Sequence, residues 1–218
     1  MSALQPNQDL AYYSQGRPGL VRQVSEDPAN VILDVGCGAG KMSSALKGTG
    51  RAGELWGVEV VPDVAEHAKQ NPDLDRVFSG DITTIVDELP KAYFTHVMAG
   101  DVLEHLVDPW GVLEKLHGCL KPGGRVVASL PNIRNFSFFG KLFFLGSFRY
   151  KDSGVLDRTH LRFFARKDME ALFRGAGFEN ISIAQARPKK NIFNKLAKLI
   201  FGDLAIKVLM ITADKPRG

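Results

Sequence analysis

At 218 residues and 44% hydrophobic content the chain can bury a sizeable core, and its 24% charged and 9% aromatic fractions exclude global disorder. Two cysteines exclude a disulfide framework and suit free thiols in a reducing cytoplasm. No charged-then-apolar leader pattern occurs, nor any apolar run near the roughly 18 residues of a membrane span, so a soluble or peripheral protein is expected. The net charge of +4 is uneven: residues 1–133 hold 11 Lys+Arg and 17 Asp+Glu (−6), whereas residues 134–218 hold 17 and 7 (+10). That basic part suits an anionic substrate, an acidic membrane surface, nucleic acid or simply solvent.

Val31-Ile32-Leu33-Asp34-Val35 is a β-branched apolar run ending in glycines, which predicts a buried parallel strand feeding a helix at Lys41–Leu46. Leu55–Val58 follows as strand two, Pro62–Gln70 as a helix with proline in its first turn, and Val77-Phe78 as strand three. Phe94–Ala99 is strand four, Trp110–Leu120 an amphipathic helix, Lys121–Gly124 a turn, and Arg125–Leu130 strand five. This alternation predicts an α/β, Rossmann-like doubly wound sheet in one domain. Within it, 1–28 is an N-terminal cap, 29–133 the cofactor-binding core, 134–164 a substrate-side insertion, and 165–218 a C-terminal helix and strands.

The insertion after strand five, expected to be helical and aromatic, concentrates six of the 14 phenylalanines in residues 136–148, and Arg134, Lys141, Arg149 and Lys151 have no intervening acid. After it a helix is expected over Ala165–Ala176, strands over Phe178–Ala184 and Leu204–Ala213, and a basic amphipathic helix over Asn191–Phe201.

In such a sheet the ligand crevice lies beyond the carboxyl ends of the strands, where strand order reverses beside strand one. There the glycines fall as Gly36-x-Gly38-x-Gly40, with Lys41 at the sixth position, which excludes the dinucleotide fingerprint; no Gly-Lys-Ser/Thr completes a P-loop. Glu59 stands 19 residues after Gly40, where an acid can accept hydrogen bonds from both ribose hydroxyls of an adenosine. Asp81 would face the adenine amino group and Ile82 the ring. Each acid alone reads equally well as a turn or cap.

Val31–Gly40, Glu59, Gly80-Asp81, Gly100–Leu106 and Leu120–Gly124 together resemble the successive signatures of class I S-adenosylmethionine-dependent methyltransferases. Tyr12-Tyr13, Arg17-Pro18, Gly100–Leu106 with Asp108-Pro109-Trp110, Leu130–Asn132 and Leu156–Phe164 resemble more narrowly a bacterial subgroup linked to cell-surface polysaccharide assembly, and more distantly the ubiquinone-pathway O-methyltransferases. The resemblance implies seven strands with the last antiparallel and paired to strand six. It implies S-adenosyl-L-methionine as cofactor, with Asp34 and the loop amides on its methionine part. The cofactor set it implies is Tyr13, Arg17, Asp34, Gly36, Cys37, Gly38, Gly40, Glu59, Val60, Asp81, Ile82, Gly100, Asp101 and Leu103.

Methyl transfer asks the protein mainly to align a nucleophile and remove its proton, so few catalytic groups are needed. The candidates are His105, His160 and Asp101; for either histidine a structural hydrogen bond is the competing reading. Asp101, Glu104 and His105 also form a set that binds a divalent metal in some ubiquinone-pathway relatives, but no metal is assigned here. The aromatic insertion reads as a lid or substrate wall, a shallow membrane contact, or extra core, with the lid or wall preferred.

The function expected is O-methylation of a small molecule or a glycan or lipid-linked intermediate, by a cytoplasmic enzyme at most peripheral to the inner membrane. A nucleic-acid methyltransferase using the basic C-terminal part is disfavoured, because Gly100–His105 lacks the Asn/Asp-Pro-Pro-Tyr of base-amino methylation and neither cysteine follows a proline. A non-catalytic cofactor-binding protein is the remaining alternative; sequence says nothing of oligomeric state.

Overall fold

The computed structural model describes residues 17–186, 199 and 201–218. Seven strands form one sheet in the order β3-β2-β1-β4-β5-β7-β6. They are β1 Val31–Val35, β2 Glu54–Glu59, β3 Arg76–Ser79, β4 Phe94–Gly100, β5 Leu120–Pro131, β6 Glu179–Gln185 and β7 Val208–Asp214. The first five run parallel, while β7 is antiparallel to both β5 and β6, as expected.

Strand order reverses at β1, which pairs with β2 on one side (Asp34↔Gly57) and β4 on the other (Asp34↔Met98). Period-two alternation sends neighbouring side chains to opposite faces. Leu33, Val97 and Val126 enter one core layer, and Ile32, Met98 and Val127 the other. Both faces are therefore covered, which explains why these strands read as apolar runs rather than alternating ones.

The helices are α1 Pro18–Val21, α2 Lys41–Gly48, α3 Pro62–Lys69, α4 Ile82–Ile85, α5 Pro109–Cys119, α6 Phe136–Leu145 and α7 Arg166–Gly175. The chain enters α2 through Gly40 at φ +82°, a left-handed conformation that glycine adopts without strain. Proline occupies the first turn of both α3 and α5, and Asp108 caps α5 by accepting the Gly111 N–H at 3.0 Å.

Two expectations need correction. Lys121–Gly124 is not a turn outside the sheet: β5 runs through it, and the register with β4 jumps from Phe94↔Leu120 to His96↔Arg125, so the Pro-Gly-Gly residues bulge while the ladder resumes. Leu204 and Ala205, expected to open the last strand, belong to a 3₁₀ turn over Gly202–Ala205, and β7 begins at Val208. The insertion is helical, as expected: α6 is capped by Asn135 and ended by Gly146 at φ +59°. The basic helix expected over Asn191–Phe201 lies largely outside the described residues.

Candidate active site

A cleft opens at the carboxyl ends of β1, β2 and β4. Its floor is polar and buried. Asp34, fully buried at the end of β1, accepts Ser43 Oγ–H at Oδ2 (2.9 Å), while its Oδ1 has no partner. Burial drives its carboxyl up to about 7, opposed by the Ser43 hydrogen bond and the nearby Arg17 charge. A buried carboxylate oxygen facing a cleft without a donor is an acceptor prepared for a cation.

Glu59, 3% exposed at the end of β2, also lines the cleft and does something not foreseen. The Gly38 N–H donates to its Oε2 and the Val61 N–H to its Oε1, both at 2.9 Å. It thus ties the glycine loop to the second strand. Burial raises its pKa, and the backbone amides counter that rise.

The loop amides are less free than the resemblance implied. Gly36 and Cys37 N–H both donate to Val58 O, Gly38 N–H to Glu59, and Gly40 N–H to Cys37 O. What the loop supplies is space: Gly36 sits at φ +69°, and a Cβ there would stand 2.7 Å from Val102 Cγ2. Gly57, in β2, likewise lets Cys37 pack, since a Cβ would lie 2.7 Å from its Sγ. Cys37 and Cys119 are buried free thiols, and burial raises both of their pKa values.

Asp81 lines the cleft and caps α4 as well, accepting Thr83 N–H at 2.9 Å; Ile82 and Val60 lie beside it. Across the cleft, Arg17 donates to Gly100 O and pairs with Asp101 Oδ2 at 3.2 Å, while its buried Nε has no partner. Asp101 itself adopts φ +53°, rare for a residue with a side chain. It is held there by its N–H on Ser129 O (3.0 Å) and by Ser129 Oγ–H on its Oδ1 (2.7 Å).

His105 lines the cleft; His160 stands behind it, the ring centroids 4.8 Å apart. His105 Nδ1 lies 3.1 Å from Thr159 O and His160 Nδ1 lies 3.0 Å from Val155 O. A carbonyl only accepts, so both Nδ1 atoms carry a proton, which places any imidazole lone pair on Nε2. Burial, then the neighbouring His160, hold His105 below the usual histidine pKa, so it is neutral at pH 7. Glu104, 1% exposed, has two unpartnered oxygens, and burial, then Asp101, push its pKa well above the usual range.

Of the sequence-predicted residues, three stand away from the lining, one of them His160, behind His105. Gly40 turns into α2, where a Cβ would stand 2.8 Å from Leu74 Cδ1, and Leu103 is buried in the core. Tyr13 lies outside the described residues. The cleft adds Val35, Met42, Val58, Gly80, Val102 and Leu106, most of them flanking the motifs already singled out, so adjacency alone could have found them. The metal set implied by resemblance is not assembled, because Arg17 and Ser129 engage both Asp101 oxygens. Instead Glu104, His105 and His160 bring one ligand atom each to within 4.8 Å of one another.

A methyltransferase-domain family model matches residues 13–183. The chain belongs to the S-adenosylmethionine-dependent methyltransferase family. A ubiquinone biosynthesis O-methyltransferase of Idiomarina loihiensis is 30% identical over 196 residues, covering 84% of this chain and 74% of the relative. A demethylmenaquinone methyltransferase of Lysinibacillus sphaericus is 26% identical, covering 76% and 77%. The fold is shared with a SAM-dependent methyltransferase from Archaeoglobus fulgidus, at TM-score 0.66 and 18% identity over 91% of this chain and 92% of that one. The orphaned Asp34 Oδ1 and Arg17 Nε fit such a cofactor, whose amino-acid end carries an ammonium and a carboxylate.

Proposed function

We propose that this methyltransferase modifies an oxygen of a small-molecule or lipid-linked acceptor, with His105 as the general base. The observation that carries the reading is His105 itself: a neutral imidazole at the cleft, its Nδ1–H fixed on Thr159 O, its Nε2 free to take a proton. The printed name of the Idiomarina relative supports oxygen as the acceptor atom.

When bound, S-adenosylmethionine supplies an electrophilic methyl group on a sulfonium. Asp34 Oδ1 would receive its ammonium, Arg17 its carboxylate, Glu59 the ribose hydroxyls, and Asp81 with Ile82 the adenine. Arg17 and Ser129 keep Asp101 oriented at the exit of β4. His160 backs the His105 ring, and the hydrogen bond to Thr159 O with the charges of Asp157 and Asp101 partly offsets the lowering of its basicity by burial. His105 takes the acceptor hydroxyl proton.

The test is methyl-label transfer to cell extracts separated into lipid-soluble, glycan and RNA fractions. Base-stable label in the lipid-soluble or small-molecule fraction, lost in His105→Ala but not in a His67→Ala control on the α3 surface, supports the reading. Label confined to RNA, or undiminished turnover in His105→Ala, contradicts it.

A further inference from the structure

The six phenylalanines of the insertion divide sharply. Phe138 is buried and anchors α6; Phe136, Phe139, Phe143, Phe144 and Phe148 are exposed, with Phe143 at 70% and Phe144 at 75%. An apolar cluster of this density on a soluble surface marks a contact site. Phe139 and Phe143 stack at 5.7 Å between centroids, and Phe136 meets Phe201 at 5.6 Å, which carries the patch onto the C-terminal segment beside Leu199, 82% exposed.

The charges around the patch decide what it suits. Arg134, Lys141, Arg149 and Lys151 are all exposed, and among the described residues none of these four side chains forms an ion pair. Cations elsewhere do pair, as in Lys47–Asp75, Lys115–Asp87 and Arg125–Asp214. No acid interrupts residues 134–151. A protein partner is served by mixed polar rims; exposed Phe and Leu collared by unpaired Lys and Arg match the boundary of an anionic bilayer. At ten residues α6 cannot span a membrane, and among the described residues no helix is long and apolar enough to do so.

We propose that α6 and its basic collar dock this enzyme shallowly on the surface of an anionic bilayer, Phe143 and Phe144 entering the headgroup–acyl boundary. From the patch a run of ring contacts leads inward, Phe148 to Phe163 (5.9 Å), Phe163 to His160 (6.5 Å) and His160 to His105 (4.8 Å). The docked face is therefore continuous with the acceptor side of the cleft. That last step rests on the role proposed for His105; the docking does not.

The experiment is flotation of the full-length protein with vesicles of phosphatidylcholine alone or with about a third phosphatidylglycerol, at about 0.1 M and about 0.5 M salt. The expected result is binding to anionic vesicles at least about tenfold stronger than to neutral ones, weakened by salt and reduced about tenfold or more in the Phe143→Ser/Phe144→Ser variant. Arg149→Glu/Lys151→Glu lowers binding to the anionic vesicles only. Thermal melting and cofactor-analogue binding, which do not depend on the patch, verify that each variant is folded. Absence of binding, equal binding by the folded phenylalanine variant, or a wild-type dimer that this variant converts to monomer without vesicles would each overturn the proposal, the last by assigning the face to a second copy.

Discussion

The floor of the cleft and the outer face of α6 reverse the usual placement of polarity, each in its own direction. Asp34 in the cleft and Glu104 next to the lining residue His105 are buried acids with oxygens left unpartnered, and burial makes both harder to ionise. On α6, Phe143 and Phe144 are apolar and bathed in solvent. In both places the fold carries an unfavourable arrangement that a ligand can relieve: a cation for the first, a lipid surface for the second. The difference lies in precision. The floor is fixed by backbone hydrogen bonds from three strand ends, so one atom's worth of change matters; the α6 face is an area, over which effects add.

That contrast ranks the expected consequences of substitution. His105→Ala should lower kcat by about 10²–10⁴-fold, with cofactor-analogue affinity within about twofold of wild type, in steady-state kinetics and calorimetry. The wild-type rate should hold as pH falls to the usual histidine range and drop only below it, because the folded pKa of His105 is lowered. Gly36→Val should cost about 1–3 kcal/mol in chemical denaturation and close the cleft to the cofactor analogue, since it adds a side chain at φ +69° against Val102.

Glu104→Gln should act through pH. The unfolded carboxyl ionises near 4.5 and the folded one only at higher pH, so from about pH 4.5 upward, until the folded carboxyl itself ionises, wild-type stability falls with rising pH relative to the variant, by at most about 1.4 kcal/mol per unit. Parallel melts across that range check it; superimposable curves would show that Glu104 is not held neutral. Phe144→Ser should shift stability by no more than about 0.5 kcal/mol, since its ring is already in water; a larger loss would mean the ring packs against the protein and the contrast fails.

Where chemistry depended on neighbours in sequence, it was legible before the fold was known. The apolar run Val31–Val35, the spacing of Gly36, Gly38 and Gly40, and an acid closing strand two all follow from local rules of strand, turn and crevice. The antiparallel β7 and its pairing with β6 came from resemblance, because pairing and direction are tertiary facts. Lys121-Pro122-Gly123-Gly124 carries every mark of a turn, yet ladder pairing on both sides keeps the chain in the sheet. A helical, aromatic insertion was legible after strand five, but residues 136–148 are apolar at too many positions for a helical period to mark the bounds of α6. Glu59 bracing Gly38, and His160 standing behind His105, join residues 21 and 55 positions apart; no spacing rule links them.

The most direct test of the account is calorimetric titration of S-adenosylhomocysteine into wild-type and Asp34→Asn protein near neutral pH. One site per chain is expected in the wild type, and binding about tenfold weaker or more in the variant, whose amide offers the ammonium no charge. Wild-type affinity should also decline as pH falls through about 7, where Asp34 gains its proton, and the variant should lack that decline. No heat in the wild type, or equal affinity and equal pH dependence in the two proteins, would contradict the assignment of this cleft.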